Sequence, residues 1–216
     1  MKKAVSLIIL FVLAWGTMQA QETTKAPGYT PRSYYTFSWN TAFPLGDFHK
    51  WVSQPSPAGF DIGGRYLLRK GLFTGFNISW QRVSEIYDAQ TFTIPEKGIA
   101  LTAENYRFTW MVPFQVVVGY HFIPDKLISP YVSLGIGGDY MEHHLLIQEY
   151  DIYETYWDFS LTPEIGALIK FGAFSPVGAV IAFNYKWTTN RIEIYQTTSK
   201  DLQMLNLRIG ITYILR

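Results

Sequence analysis

From Asn105 to Phe122 the chain reads NYRFTWMVPFQVVVGYHF, with apolar residues recurring at every second position. Tyr106, Phe108, Trp110, Val112, Phe114, Val116, Val118, Tyr120 and Phe122 share one side, while Asn105, Arg107, Thr109, Pro113, Gln115, Gly119 and His121 fall on the other. A period of two belongs to a β-strand, whose successive side chains point to opposite faces. Nine apolar residues in register exceed what a strand of about five or six residues needs, and the aromatics gather towards the ends. A bilayer-crossing strand takes about 9–11 residues, with an apolar outer face and aromatic girdles. The stretch therefore reads as one stave of a transmembrane β-barrel.

Composition agrees. The chain is 48% hydrophobic and 17% aromatic, yet beyond the first twenty residues no apolar run approaches the length of a spanning helix. Residues 1–20 read as a secretory signal peptide: Lys2 and Lys3, an apolar run from Ala4 to Trp15, and a small-residue end at Ala20. Removing them takes two of 18 basic residues and none of 17 acidic ones, leaving a nearly neutral chain with no basic excess to suggest nucleic acid. There is no cysteine, hence neither a disulfide framework nor a lipoprotein anchor. In lipid every backbone group must be paired internally, and a closed barrel of strands achieves that.

Residues 21–32 form a polar lead-in with two prolines, and residues 33–216 divide into eight alternating segments. The first runs from Ser33 to Phe43, followed by an external loop over Pro44 to Pro57. The second begins at Gly59, turns at Lys70-Gly71, and leads into the third at Leu72. The alternation continues past Trp80 through TFTI at 91–94 and IALTA at 99–103, around a PEKG turn, so this hairpin is expected to stand above the membrane. Segments five and six cover 131–141 and 156–171, with 143–155 as a third external connection. Pro113 and Pro163 sit inside strands, where a bulge or bend is expected. In segment seven the phase slips near Thr188 to Asn190, consistent with one extra residue. TTSKD is read as the turn into the closing strand LNLRIGITYIL. The fold class is thus all-β, an eight-stranded antiparallel up-and-down transmembrane barrel with a plugged polar interior. Both termini lie on the side of the short turns.

Ala20-Gln21, the PLGDF of Pro44 to Phe48, the eight-stave pattern and the GITY of Gly210 to Tyr213 together resemble the small OmpA/OmpX-type outer-membrane barrels, especially those of the Bacteroidota envelope. The resemblance covers essentially the whole mature chain. It implies residence in the outer membrane of a Gram-negative bacterium, with surrounding lipid as the standing partner. The final Leu215-Arg216 departs from the aromatic ending common in that class.

Three groups of residues are candidates for function. Asp61, Arg65, Arg107, Asp139, Glu164, Lys186 and Arg208 point inwards, together with Asp158, into a bore only wide enough for side chains to fill. They are expected to form an ionic plug of pairs, since an isolated buried charge costs several kcal/mol; a gated ion path is the competing reading. His143 and His144, with Glu142 and Asp139, lie near the outer rim. Lipid A deacylases and palmitoyltransferases are small barrels with rim catalytic groups, but here Ser53 and Ser84 are merely available, and no nucleophile elbow, metal spacing or cofactor motif is present. The chain is therefore expected to be non-enzymatic, with no cofactor and no metal. Aromatics of the external segments, above all Trp51, Tyr87, Phe92 and Tyr153, are read in two ways, as exposed residues available to a protein partner or as the upper lipid girdle and loop packing.

Overall fold

The computed structural model describes residues 32–69, 71–94, 99–172, 175–189, 192–194 and 197–215. The signal peptide and most of the lead-in, the PEKG turn, Lys70 and the side chain of Phe92 lie outside the described residues. Ten strands are present: β1 (Ser33–Leu45), β2 (Gly59–Arg69), β3 (Leu72–Ile94), β4 (Ile99–His121), β5 (Ile128–Ile147), β6 (Tyr150–Lys170), β7 (Val177–Thr188), β8 (Ile192–Ile194), β9 (Thr197–Ser199) and β10 (Leu202–Leu215). Eight of them close into one antiparallel barrel in the order β1-β10-β7-β6-β5-β4-β3-β2, as the eight-segment reading requires. The remaining pair, β8 and β9, forms a separate ribbon.

Parity fixes which face is which. On β1, Tyr34, Thr36, Ser38, Asn40 and Ala42 are buried in the bore, while Phe37 and Trp39 are 55% and 60% exposed on the outer wall. The outer wall carries two aromatic girdles. On β4, Trp110 and Tyr120 bracket Val112, Phe114, Val116 and Val118 over eleven residues, the length that crosses a bilayer. Trp39, Phe60 and Trp80 lie side by side on β1 to β3, and Tyr140 contacts both Trp110 and Trp157.

The wall is uneven in height. β3 and β4 have 23 residues each, β5 has 20 and β6 has 21, against 11 to 14 for β1, β2, β7 and β10. The long four continue roughly a dozen residues past what a bilayer requires, forming a sheet above the girdle of Trp80, Trp110, Tyr140 and Trp157. The protrusion of β3 and β4 agrees with the alternation that continues past Trp80, with a register shift between Tyr87 and Gln90. The segment 143–155, by contrast, is not a loop: β5 and β6 pair continuously from Ile128↔Ile169 to Ile147↔Tyr150, turning over Gln148-Glu149.

Three further expectations are corrected. Pro44 continues β1, paired with Met204. Neither interior proline makes a bulge. On the β3 side the pairing lapses between Ile78↔Phe114 and Gln81↔Met111 with its offset unchanged, while Pro113↔Asp139 persists on the other; Pro163 behaves alike between β5 and β7. A proline lacks one donor and so weakens one ladder only. Finally, the parity change beyond Thr188 marks no inserted residue. β7 ends there, and Ile192–Ile194 and Thr197–Ser199 form β8 and β9 of the separate ribbon.

The close approach of neighbouring strands shows at Gly137 of β5, where an added Cβ would overlap the carbonyl oxygen of Phe114 on β4. Gly137→Ala is therefore expected to force β4 and β5 apart and to cost about 1–3 kcal/mol. The measurement is the temperature at which the folded band converts on a heat-modifiability gel, and an unchanged temperature would show that the strands yield freely.

Candidate functional site

The interior is built in three layers, and the polar one lies in the middle. Arg208 of β10 donates through Nη1 to Asp61 of β2 at 3.2 Å and through Nη2 to Glu164 of β6 at 2.8 Å. The Tyr131 hydroxyl accepts Arg208 Nη2 at 3.1 Å and donates to the same Glu164 oxygen at 2.9 Å. Arg65 joins through Asn77, whose Oδ1 takes Arg65 Nη2 at 3.2 Å and whose amide donates to Asp61. Its other nitrogen donates to the Phe76 carbonyl at 2.6 Å. Above them Lys186 meets Asp139 at 2.5 Å. All six charged groups are buried, so each depends on its partners, because water does not replace them there. Two small cavities of about 30 and 20 Å³ flank the network and share Asn77, Gln115, Thr162 and Asn184 as walls. Each has room for a water or two.

Arg107 does not belong to this network. It lies in the upper mouth, stacked over the rings of Tyr87 at 4.3 Å and Trp51 at 5.3 Å, with Nε on Asn105 at 3.0 Å. Its strand position above the Trp110 girdle puts it a full layer away from the waist.

The mouth is closed by the segment after β1. A 3-10 turn over Gly46–Lys50 drives Phe48, Trp51 and Val52 into the bore, where all three are fully buried against Ala42, Val83, Met111, Met141, Ile192 and Met204. Trp51 is thus a plug and not an exposed recognition residue. The segment is fastened at several points. Trp51 Nε1 donates to Thr109 at 2.9 Å, and Thr109 in turn bonds His143 Nδ1 at 2.7 Å. Ser53 donates its amide and hydroxyl to Glu85 at 2.5 and 2.7 Å, and Tyr87 bonds both Glu85 and the Trp51 carbonyl. At the other end a second apolar layer of Tyr34, Leu67, Phe73, Val117, Leu168 and Ile214 fills the bore. His121 is embedded in it, bonded to Tyr34 and Ser129 at 2.9 Å each.

The rim histidines separate as alternation requires. His143 points inwards under the cap. His144 points outwards, sandwiched between Phe108 at 4.4 Å and Tyr153 at 5.4 Å, with Asp151 and Glu142 at its ring nitrogens. The Ser53 hydroxyl donates to Glu85, and His143 bonds Thr109. Among the described residues no group of three His, Asp or Glu is placed to hold a metal. Of the four aromatics singled out, Tyr87 is half-buried beneath the cap and Tyr153 is 62% exposed.

Residue reading missed the partners that make these layers. Asn77, Tyr131 and Glu85 have no pattern of their own. Phe48, Trp51 and Val52, however, follow the spacing of one helical turn, which was a legible sign that the loop folds an apolar face inwards.

No known family model matches the sequence, and no curated protein sequence matches it. Two solved structures share the architecture at low identity. Neisserial surface protein A is 11% identical, with 84% of this chain and 96% of that one covered and a TM-score of 0.50. The outer membrane protein OprG from Pseudomonas aeruginosa is 10% identical, with 88% and 98% covered and a TM-score of 0.51. The fold is accordingly that of the small eight-stranded outer-membrane barrels. Neither likeness points to the Bacteroidota envelope in particular.

Two outcomes test the layers. Glu164→Gln leaves Arg208 with one carboxylate and is expected to lower stability by about 3 kcal/mol, measured by urea unfolding in detergent. Glu85 stands above the girdle. Partial burial pushes its pKa up, but the bonds from Ser53 and Tyr87 outweigh this and hold it below the ordinary 4.5. A depressed carboxylate contributes stability above its unfolded value and loses it as pH falls through the folded one. The cap is therefore expected to hold through the ordinary carboxylate range and to loosen only as pH falls below it, seen as a change in Trp51 fluorescence that Glu85→Gln abolishes.

Proposed function

We propose that this protein is a non-enzymatic outer-membrane barrel in which a sealed bore serves as an anchor and the tall wall of β3 to β6 serves as an external interaction surface. The observation that carries this reading is the layering of the interior. Apolar plugs stop the bore at both ends, and an ion-paired waist fills what lies between them. A solute path would need a continuous water column, whereas the two cavities beside the waist each have room for a water or two.

Residues 1–20 fit export, and the outer wall with its two girdles fits a lipid bilayer. Short connections mark the periplasmic side of such barrels, so the tall wall faces outwards. The wall exceeds what the anchor needs, and its outer face above the girdle stands clear of the span that lipid covers. The shared architecture with a neisserial surface protein is in keeping with an outward-facing role.

The test has two arms. The purified barrel in planar bilayers is expected to show no discrete conductance steps; steady steps in the wild type would overturn the anchor. In intact outer membranes, deleting residues 86–104 is expected to leave a heat-modifiable barrel and to remove proteins cross-linked at the surface. An unchanged cross-linking pattern would move the role away from the wall.

A further inference from the structure

The pairing of β3 with β4 slips by one residue between Tyr87↔Asn105 and Gln90↔Ala103. Three steps on β3 there face two on β4, which makes a β-bulge, and a bulge re-aims the side chains beyond it. Below the bulge, Glu85 and Tyr87 hold the inner face of β3, opposite Arg107 and Asn105. Above it Gln90 takes that face, opposite the buried Ala103. Tyr87 and Gln90 therefore both reach the Arg107 guanidinium. The Tyr87 ring lies 4.3 Å from it and the Trp51 ring 5.3 Å, while Gln90 Oε1 accepts Nη2 at 3.4 Å.

What this cluster lacks is an acidic group for its cation. Lys186 and Arg208 each meet a carboxylate directly, whereas Arg107 meets none among the described residues. Its cross-strand neighbour Glu85 is engaged elsewhere, with the Ser53 amide and hydroxyl and the Tyr87 hydroxyl on its oxygens. The acceptors that Arg107 does have are neutral: Asn105 Oδ1 on Nε at 3.0 Å, and the long contact to Gln90, whose side chain is exposed and free to yield. Nη1 has no acceptor among the described residues. Asn105 repeats the deficit. It is 1% exposed, its oxygen is committed to Arg107, and its Nδ2 donates to nothing. Enclosed donors without an acceptor are rare in folded proteins. Here one stands beside a guanidinium whose charge no contacting group balances.

We propose that Arg107, with Asn105 and Gln90, forms a binding site for a small organic carboxylate that reaches the upper mouth of the barrel from outside. A guanidinium presents coplanar donors spaced to match the two oxygens of a carboxylate, and contact with aromatic rings fixes its orientation. The bound acid supplies the missing negative charge and takes the place of Gln90 at Nη2. One charge suits the site better than the two of a phosphate, because Glu85 already stands across the ladder and a further charge would add to the repulsion. The site lies at the level of the cap and above the ionic waist, so an acid held there does not pass through the bore. It is a separate property from the interaction surface on the outer wall.

The test uses the full barrel in lipid nanodiscs with fluorine-labelled tryptophan. The Trp51 signal, identified by its absence in Trp51→Phe, is followed by NMR during titration with sodium acetate. Acetate is expected to give a saturable shift, with none from acetamide or from sodium chloride at equal ionic strength, and inorganic phosphate is expected to bind more weakly than acetate. Gln90→Glu is an isosteric change at an exposed position and supplies a carboxylate from the chain itself. It is expected to weaken acetate binding about tenfold and to raise the temperature at which the folded band converts on a gel. Arg107→Lys keeps the charge and loses the fork, and is expected to weaken binding about tenfold, the worth of one hydrogen bond to a charged group. No saturation with acetate, an equal shift with acetamide, tighter binding of phosphate, or wild-type affinity in Gln90→Glu would overturn the proposal. The bilayer conductance assay reads the sealed bore independently, so any of these results discards the carboxylate site and leaves the anchor standing.

Discussion

Arg208 is held from two sides of the bore, and much of the barrel follows from that requirement. Closing eight strands into a ring removes every edge within the membrane, but leaves a channel that side chains must fill. A guanidinium in that space is tolerable only with carboxylates in contact, and these come from β2 and β6, strands that do not neighbour β10 in the sheet. The ion pairs therefore act across the ring, not along it. They tie three separated staves to one level, and Asn77 and Tyr131 extend the tie to Arg65 and to β5. Strand register is set by ladder and pleat, and this cross-bore network rejects a slip that the outer apolar face alone would penalise less.

The two apolar layers make that network stronger. By excluding water above and below, they lower the effective dielectric around the pairs and raise both their attraction and the cost of breaking them. The upper layer is the less expected of the two. It comes from a connecting segment, and full burial of Trp51, Phe48 and Val52 contributes about 1.5–3 kcal/mol apiece, against the entropy of ordering a loop. Its polar fastenings to Thr109, Glu85 and Tyr87 keep the buried backbone and indole satisfied. The loop is thus part of the core, and it fills the upper mouth of the bore.

The outer surface of this fold was legible and the inner one only in part, for a physical reason. Lipid demands an unbroken apolar parity, so the residues from Tyr106 to Phe122 announce a strand and its length. The bore makes no such uniform demand. Met111 and Val117 occupy the polar parity of that same strand, and Met141, Leu145, Leu168 and Ile214 do so on others. These residues are the plugs, and they are visible as exceptions to the alternation. Inward charges could be recognised one by one, but their partners lie far apart in sequence: Asp61 and Arg208 are 147 residues apart. The same limit counted Arg107 in the ionic plug and Trp51 among the loop aromatics offered for recognition. The ribbon of β8 and β9 looked like a phase slip because parity alone does not say which sheet a residue joins.

Unequal strand length creates a problem that equal staves would avoid. Where β3 to β6 outgrow their neighbours, the sheet regains the two edges that closure had removed. The β3 edge is partly covered just above the membrane, since Ala58 takes the Arg82 amide at 2.8 Å, Ser56 bonds the Arg82 carbonyl at 2.6 Å, and Ser53 bonds the Glu85 carboxylate. On the other side the chain leaves β7 with the Thr189 amide on the Phe159 carbonyl at 3.1 Å, and β8 lies against β6. The connections on either side of the tall sheet thus take up backbone and side-chain groups that closure of the ring leaves over at its top.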